Sequence, residues 1–190
     1  MRQLILAGLL LSAGLLCAQE LTVGDKLGNF QLADLSGKTV TIQPAKGITA
    51  IVFVSTQCPV SNAYNDRMNA VYKEYSGKGV NFVFVNANRN ESADDVRSHL
   101  AENKLDFVAY KDPNNALADK LNAQVTPEVY LLDSTGTLRY HGSIDDSRVL
   151  DRVRDQRLRK ALDAMLAGKE VPNPVNKAFG CTIKRAGKSS

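Results

Sequence analysis

Apolar residues occur along the chain in two repeating patterns. The runs 49–54 and 80–85 are almost wholly apolar and rich in β-branched residues, which predicts two strands buried on both faces. Between them, apolar side chains recur every three or four residues from position 60 to position 75, which predicts an amphipathic helix. Because a helix connects the two strands, we expect them to lie parallel in one sheet, joined by a right-handed crossover.

The flanking residues predict the remainder of the sheet. Two short alternating segments, 29–34 and 39–42, are separated by a Ser-Gly-Lys turn and predict an N-terminal strand pair. This order of elements indicates an α/β fold with a mixed central sheet flanked by helices, parallel in its first half and antiparallel at its edge. The other predicted elements are a helix opened by a capping box at Ser92, a short strand at 105–109, a hairpin over 125–142, and a long helix capped by Asp146 or Ser147.

The N-terminus has the organisation of a secretory signal peptide. A positively charged start is followed by an apolar segment at 4–16 and a small residue, Ala18, at which cleavage is expected. The apolar segment is too short for a comfortable membrane span. We therefore expect a signal peptide at 1–18, one domain at 19–168, and a C-terminal tail at 169–190. The predicted route is secretion across the inner membrane into the periplasm or another extracytoplasmic space, without stable membrane insertion after cleavage.

Composition and charge narrow the classes of function. The chain has 190 residues, of which 44% are hydrophobic and 23% charged, enough for one domain with a full core. The net charge of +4 falls by one when Arg2 leaves with the signal peptide, and this is too small to argue for nucleic-acid binding. The sequence contains no Gly-x-Gly-x-x-Gly motif, P-loop or clustered metal ligands, so we expect no cofactor.

The number of cysteines in the mature protein depends on the signal peptide. The chain has three cysteines, and Cys17 leaves when cleavage follows Ala18. The alternative is that Cys17 is retained and acylated, as in a lipoprotein. Lipoprotein signals resemble one another in having a small residue directly before the acylated cysteine, and Leu16 at that position argues against this alternative. The remaining pair, Cys58 and Cys181, could form a permanent or a cycling disulfide in an exported protein.

Cys58 is the leading candidate for chemistry. It follows the first buried strand and precedes the amphipathic helix, in a Cys-x-x-Ser motif that ends at Ser61. Backbone N–H groups and the helix dipole favour a thiolate at such a position, and Pro59 fits the first helical position because its missing N–H would be unpaired there anyway. The alternative is an inert buried cysteine at the end of a strand.

Two further segments border the predicted position of Cys58. Pro127 directly follows Thr126 at the start of the predicted hairpin, where a cis peptide bond is sterically allowed although trans bonds are far more common. Four residues follow the second parallel strand, so they could line the same edge of the sheet, or they could be turn formers: Asn86, Asn88, Arg89 and Asn90.

The order strand, Cys-Pro-Val-Ser, helix, strand, and later Val-Thr-Pro before a hairpin resembles the thioredoxin fold over residues 21–168. The resemblance implies that Cys58 is the nucleophilic cysteine, that Ser61 replaces the second cysteine of Cys-x-x-Cys, and that the bond before Pro127 is cis. It also implies that Pro59, Thr126 and Pro127 contact the substrate.

A closer resemblance is to the peroxiredoxin-like redoxins of the alkyl hydroperoxide reductase/thiol-specific antioxidant superfamily. It is based on Thr56-Gln57-Cys58-Pro59, on the segment 140–146, and on the segment 172–184 around Cys181. True peroxiredoxins have a Pro-x-x-x-Thr-x-x-Cys motif whose cysteine would align with Ser61. The proline, threonine and cysteine of that motif are all missing here, which argues against the peroxiredoxin route.

Three functions follow from these residues. The first is thiol–disulfide exchange with protein or small-molecule thiols and disulfides, with Cys58 as nucleophile and Cys181 as resolving thiol. A static bridge or an unpaired Cys181 are the alternatives to a cycling pair. The second is an antioxidant that reduces peroxide through a sulfenic acid on Cys58. The third is binding of a soft metal such as Cu(I) by both cysteines and His141, which Ser61 argues against.

Overall fold

The computed structural model describes residues 20–185. The expected signal peptide, Cys17 and the last five residues of the tail lie outside the described residues. The strands are β1 (Phe30–Ala33), β2 (Thr39–Ile42), β3 (Thr49–Phe53), β4 (Asn81–Asn86), β5 (Ala109–Lys111), β6 (Val125–Thr126), β7 (Glu128–Leu132), β8 (Leu138–Gly142) and β9 (Cys181–Thr182). The helices are α1 (Pro59–Asn62), α2 (Asn65–Ser76), α3 (Ala93–Glu102), α4 (Ala116–Lys120) and α5 (Arg157–Leu166). Within residues 20–185 no helix is long and apolar enough to cross a membrane.

A seven-stranded mixed sheet forms the centre of the molecule, in the order β2-β1-β5-β4-β3-β7-β8. The strands β3 and β4 are parallel, as predicted, with Ile51 opposite Val83, and β7 pairs antiparallel with β3 on its other side. This mixed sheet and the N-terminal pair β1–β2 confirm the predicted fold class, which is thioredoxin-like.

Both faces of β3 are buried because separate apolar clusters cover them. Val52 belongs to one cluster together with Val71 of α2 and Leu162 of α5. Phe53, the next residue along the strand, belongs to the other cluster together with Leu117 of α4. Alternate side chains of a strand point to opposite faces, so the continuous apolar run follows from packing on both sides.

The predicted strand at 105–109 is wrong in position, since the structure has β5 at Ala109–Lys111. Its apolar pattern instead reflects packing of a loop. Phe107 is 4% exposed and stacks on Phe84 with 3.6 Å between ring centroids.

The last helix begins about ten residues later than predicted, at Arg157. The Asp146 carboxylate accepts hydrogen bonds from the backbone N–H groups of Arg154 and Asp155, at 2.9 and 3.1 Å. The Arg67 guanidinium also donates to the carbonyl oxygens of Ser147 and Arg148. These bonds hold a loop in place of the first helical turns.

The tail returns along the sheet and packs against it. Val175 forms a parallel bridge with His141 at the end of β8. Farther on, β9 pairs antiparallel with β6, and Ile183 is buried with 3% exposure. The tail is therefore a folded part of the molecule as far as residue 185.

Candidate functional site

Cys58 follows β3 and is the N-cap residue of α1, with Pro59 as the first helical residue. Its side chain is 3% exposed, and its Sγ accepts a hydrogen bond from the Ser61 N–H at 3.3 Å. The sequence predicted a long helix behind this cysteine, but α1 ends at Asn62 and a tighter turn at Tyr64 separates it from α2. The local N–H donor therefore takes the place of a long helix dipole as the feature that favours a thiolate.

Cys58 and Cys181 form a disulfide, with their Cα atoms 5.7 Å apart. The alternative in which Cys181 stays unpaired is therefore wrong for this state. The bond joins residues 123 positions apart in sequence and fastens the tail directly over the start of α1.

The peptide bond between Thr126 and Pro127 is cis, as the thioredoxin resemblance implied. Cys58 Sγ lies 3.3 Å from the carbonyl oxygen of Thr126, so a reduced thiol could donate a hydrogen bond there. Thr126 is also the strand partner of Cys181. Four of the five residues predicted for the site thus meet at one point, and exposed Pro59 adjoins them through Cys58.

A buried carboxylate, Glu91, holds the loop that precedes Cys58 and was missed by the sequence analysis. It is 2% exposed, and its Oε1 accepts a 2.5 Å hydrogen bond from the Ser55 hydroxyl. Its Oε2 accepts from the Thr56 N–H at 2.7 Å and from the Asn86 amide at 2.6 Å. The sequence signal that could have revealed Glu91 is an acidic residue a few positions after an almost wholly apolar strand, in a segment rich in asparagine.

Lys111 closes this network from the neighbouring strand. Its ammonium group donates to Asn86 Oδ1 at 2.5 Å, to the Asn88 carbonyl at 3.0 Å and to the Glu91 carbonyl. Burial lowers the pKa of Lys111, although nearby acidic groups, Glu91 first, act in the opposite direction. The cysteine loop therefore rests on a fixed polar cluster.

A second buried carboxylate, Glu128, directly follows the cis proline. Its Oε2 accepts the N–H groups of Gln124 and Val125 at 2.7 and 3.1 Å, which holds β6 in place. Its Oε1 lies 2.6 Å from His141 Nε2, and the ring of His141 stacks on Tyr130. Burial raises the pKa of Glu128, but the hydrogen bonds from His141 and the two backbone N–H groups outweigh it, so the pKa lies below its ordinary value. The sequence feature that could have revealed Glu128 is a single acidic residue in an otherwise apolar strand.

Asn88 and Arg89 do lie near the site, and they anchor the tail. Asn88 Oδ1 accepts the Lys184 N–H at 2.7 Å, and the Arg89 N–H donates to the Lys184 carbonyl at 2.8 Å. The Ile183 N–H donates to the Gln124 carbonyl at 3.0 Å. Three hydrogen bonds to backbone groups of the tail therefore fix Ile183 and Lys184.

The side chains proposed to bind a soft metal are not assembled for it. His141 Nε2 faces Glu128, and the sulfur atoms of Cys58 and Cys181 are bonded to each other. In the part of the chain from 20 to 185, no group of three histidine, cysteine or acidic side chains is placed to hold a metal ion.

Comparison with known proteins finds relatives over most of the chain. Thiol-disulfide oxidoreductase ResA of Bacillus cereus is 23% identical over 149 residues, which cover 78% of this chain and 79% of that protein. The crystal structure of an uncharacterized conserved protein from Geobacillus kaustophilus matches with a TM-score of 0.80 and 28% identity, covering 88% of this chain and 94% of the other. A hypothetical protein from Sinorhizobium meliloti 1021 matches with a TM-score of 0.79 and 27% identity, covering 89% and 97%. The AhpC/TSA family model matches residues 23–141, more than half of the sequence, and the chain therefore belongs to the AhpC/TSA family.

Proposed function

We propose that this protein is an exported thiol–disulfide oxidoreductase in which Cys58 is the nucleophile and Cys181 the resolving thiol. The observation that carries the proposal is the Cys58–Cys181 disulfide, which lies beside the cis Thr126–Pro127 bond. The similarity to thiol-disulfide oxidoreductase ResA of Bacillus cereus gives independent support.

The reaction begins with the reduced protein. The Cys58 thiolate attacks one sulfur of a substrate disulfide, forms a mixed disulfide with it, and releases the other substrate sulfur as a thiolate. Cys181 then attacks Cys58 Sγ and releases the second substrate thiolate. The substrate gains two electrons, the protein loses them, and the product is the Cys58–Cys181 disulfide.

The environment of Cys58 supports this assignment. The Ser61 N–H can stabilise a thiolate, and the Thr126 carbonyl can accept a hydrogen bond from the protonated thiol. Glu91, through Ser55, fixes the backbone N–H of Cys58 and so orients the residue. The Thr126 strand edge beside the sulfur provides the backbone groups for a substrate.

The test is exchange by purified reduced protein with a small disulfide. We expect Cys58→Ser to abolish the reaction and Cys181→Ser to stop it at a mixed disulfide that mass spectrometry detects. A reduction potential of the pair near or above that of thioredoxin, about −270 mV, supports cycling. A potential below about −300 mV would identify a static structural bridge and overturn the proposal.

Peroxide reduction is the second candidate, favoured by membership of the AhpC/TSA family. Peroxide would oxidise Cys58 to a sulfenic acid with release of water, and Cys181 would condense with it to give the disulfide and a second water. A stopped-flow rate with peroxide near that of a free thiolate would rule this function out.

Export also belongs to the proposal. We propose cleavage after Ala18, a domain at 19–168 with the tail at 169–190, and a periplasmic or other extracytoplasmic location. N-terminal sequencing of the mature protein should begin at Gln19, and an intact Met1 on the protein in the periplasmic fraction would contradict it.

A further inference from the structure

The tail occupies the strand edge at which the proposed function places its substrate. Thr126, the last residue of β6, pairs with Cys181 of β9, and this pairing brings the two sulfurs together. The pairing of β9 with β6 is therefore an example, within this chain, of how a strand that carries a cysteine binds beside Cys58.

Immediately before the cysteine, the edge accepts only a residue without a side chain. A Cβ added to Gly180 would overlap the carbonyl oxygen of Thr126 and come within 3.3 Å of the Pro127 nitrogen. Both obstacles are backbone atoms of the cis-proline loop and cannot rotate away as a side chain could. The position before the cysteine is therefore selective for glycine.

Two residues after the cysteine, the edge has an apolar position. Ile183 is 3% exposed and belongs to the buried cluster that also includes Ala87, Leu121 and Ala123. The intervening Thr182 is exposed, so its side chain is not selected. Beyond the isoleucine, Asn88 and Arg89 bond only the backbone of Lys184, which leaves that side chain free to vary.

We propose that the edge of β6 is a sequence-selective binding site for an external polypeptide strand of the form Gly-Cys-x-aliphatic. In this proposal the tail occupies the site when no substrate is bound and competes with the substrate for it. The proposal rests on the proposed function and adds its substrate class.

The incoming cysteine is part of a disulfide. Cys58 attacks that sulfur, the new Cys58–substrate bond forms, and the former partner leaves as a thiolate. The substrate strand then occupies the place of β9 until Cys181 returns, attacks Cys58 and expels the substrate thiolate.

The experiment uses the mature protein from Gln19 onward with the Cys181→Ser substitution, in which no second cysteine remains to resolve Cys58. Three peptides carry thionitrobenzoate on their cysteine: one with the tail sequence Ala-Phe-Gly-Cys-Thr-Ile-Lys-Arg, one with alanine before the cysteine, and one with serine in place of isoleucine. Release of coloured thionitrobenzoate gives the rate, and mass spectrometry identifies the Cys58–peptide product. The symmetric disulfide of thionitrobenzoate, which carries no peptide, is the free reagent, and its rate of reaction with Cys58 measures the intrinsic reactivity of that thiol.

We expect the tail-sequence peptide to react about tenfold faster than either altered peptide, after correction for the intrinsic reactivity of each peptide. In the double variant Gly180→Ala/Cys181→Ser the tail docks more weakly, so all three peptides should react faster while their order is kept. Equal rates for the three peptides in both proteins, with normal reactivity towards the free reagent, would overturn the selectivity alone. In the double variant, whose tail covers Cys58 less tightly, a Cys58 that reacts no faster with this reagent than a cysteine in unfolded protein would instead refute the proposed function.

Discussion

The carboxylate of Glu91 accepts a 2.5 Å hydrogen bond from the hydroxyl of Ser55, whose oxygen in turn accepts the backbone N–H of Cys58 at 3.0 Å. A buried acidic side chain is thus linked to the backbone of the candidate nucleophile through one intermediate side chain. The carboxylate is surrounded by donors, because Thr56 and Asn86 also donate to it.

Glu91→Gln should destabilise the protein by about 1 to 3 kcal/mol, because an amide group would face donors where an oxygen now accepts. Urea denaturation measures this change, and alkylation of reduced protein should show altered reactivity of Cys58. The matched control is Glu102→Gln at the exposed end of α3, for which we expect less than about 0.5 kcal/mol. Equal effects for the two variants would contradict the role assigned to Glu91.

The Glu128 carboxylate predicts a specific pH dependence of stability. Its folded pKa is below the ordinary value of 4.5, so the unfolded chain takes up the proton first as the pH falls. Its contribution is therefore complete above the unfolded pKa and is lost as the pH falls through the lowered folded pKa. The difference in unfolding free energy between wild type and Glu128→Gln should have its full value well above pH 4.5 and shrink as the pH falls through and below that value. Urea denaturation down the acid series measures it, with exposed Glu170→Gln as control. A difference that stays constant to acid pH would refute the prediction.

Gly180→Ala should weaken docking of the tail, because the new Cβ overlaps the Thr126 carbonyl oxygen. Such overpacking should destabilise the oxidised protein, in which the tail is docked, by about 1 to 3 kcal/mol. Because the oxidised form becomes less stable, the reduction potential of the cysteine pair should rise by about 20 to 60 mV. Equilibration with a dithiol redox buffer measures the potential. Gly28→Ala is the matched control, since a Cβ there meets nothing within 4 Å. Identical potentials for the two variants would show that the tail tolerates a side chain at this position.

Reduction of the Cys58–Cys181 disulfide should lower the unfolding free energy by about 2 to 5 kcal/mol, because the bond closes a long loop in the unfolded chain. Urea denaturation with and without reductant measures the loss. The double variant Cys58→Ser/Cys181→Ser should not respond to reductant. Unchanged stability of the wild type after verified reduction would contradict the prediction.

Prediction from sequence succeeded where the responsible pattern is local. The continuous apolar run of β3, the apolar stripe of α2 and the capping box at Ser92 each depend on residues a few positions apart, although a turn at Tyr64 divides the helix predicted after Cys58 into α1 and α2. The last helix shows the limit of this approach, because its expected first turns are replaced by a loop that Arg67 holds from a distant helix.

The sequence by itself determined the α/β order, the position of Cys58 between a buried strand and a helix, and, through resemblance, a cis bond before Pro127. Only the tertiary structure decided which distant groups meet that cysteine. Glu91 lies 36 residues from Ser55, and Cys181 lies 123 residues from Cys58. The physical reason is that hydrophobic periodicity reports which face of an element is buried, whereas the partner of a buried polar group depends on how the chain returns to it. The requirement for glycine at position 180 exists only because the tail returns to the edge of β6.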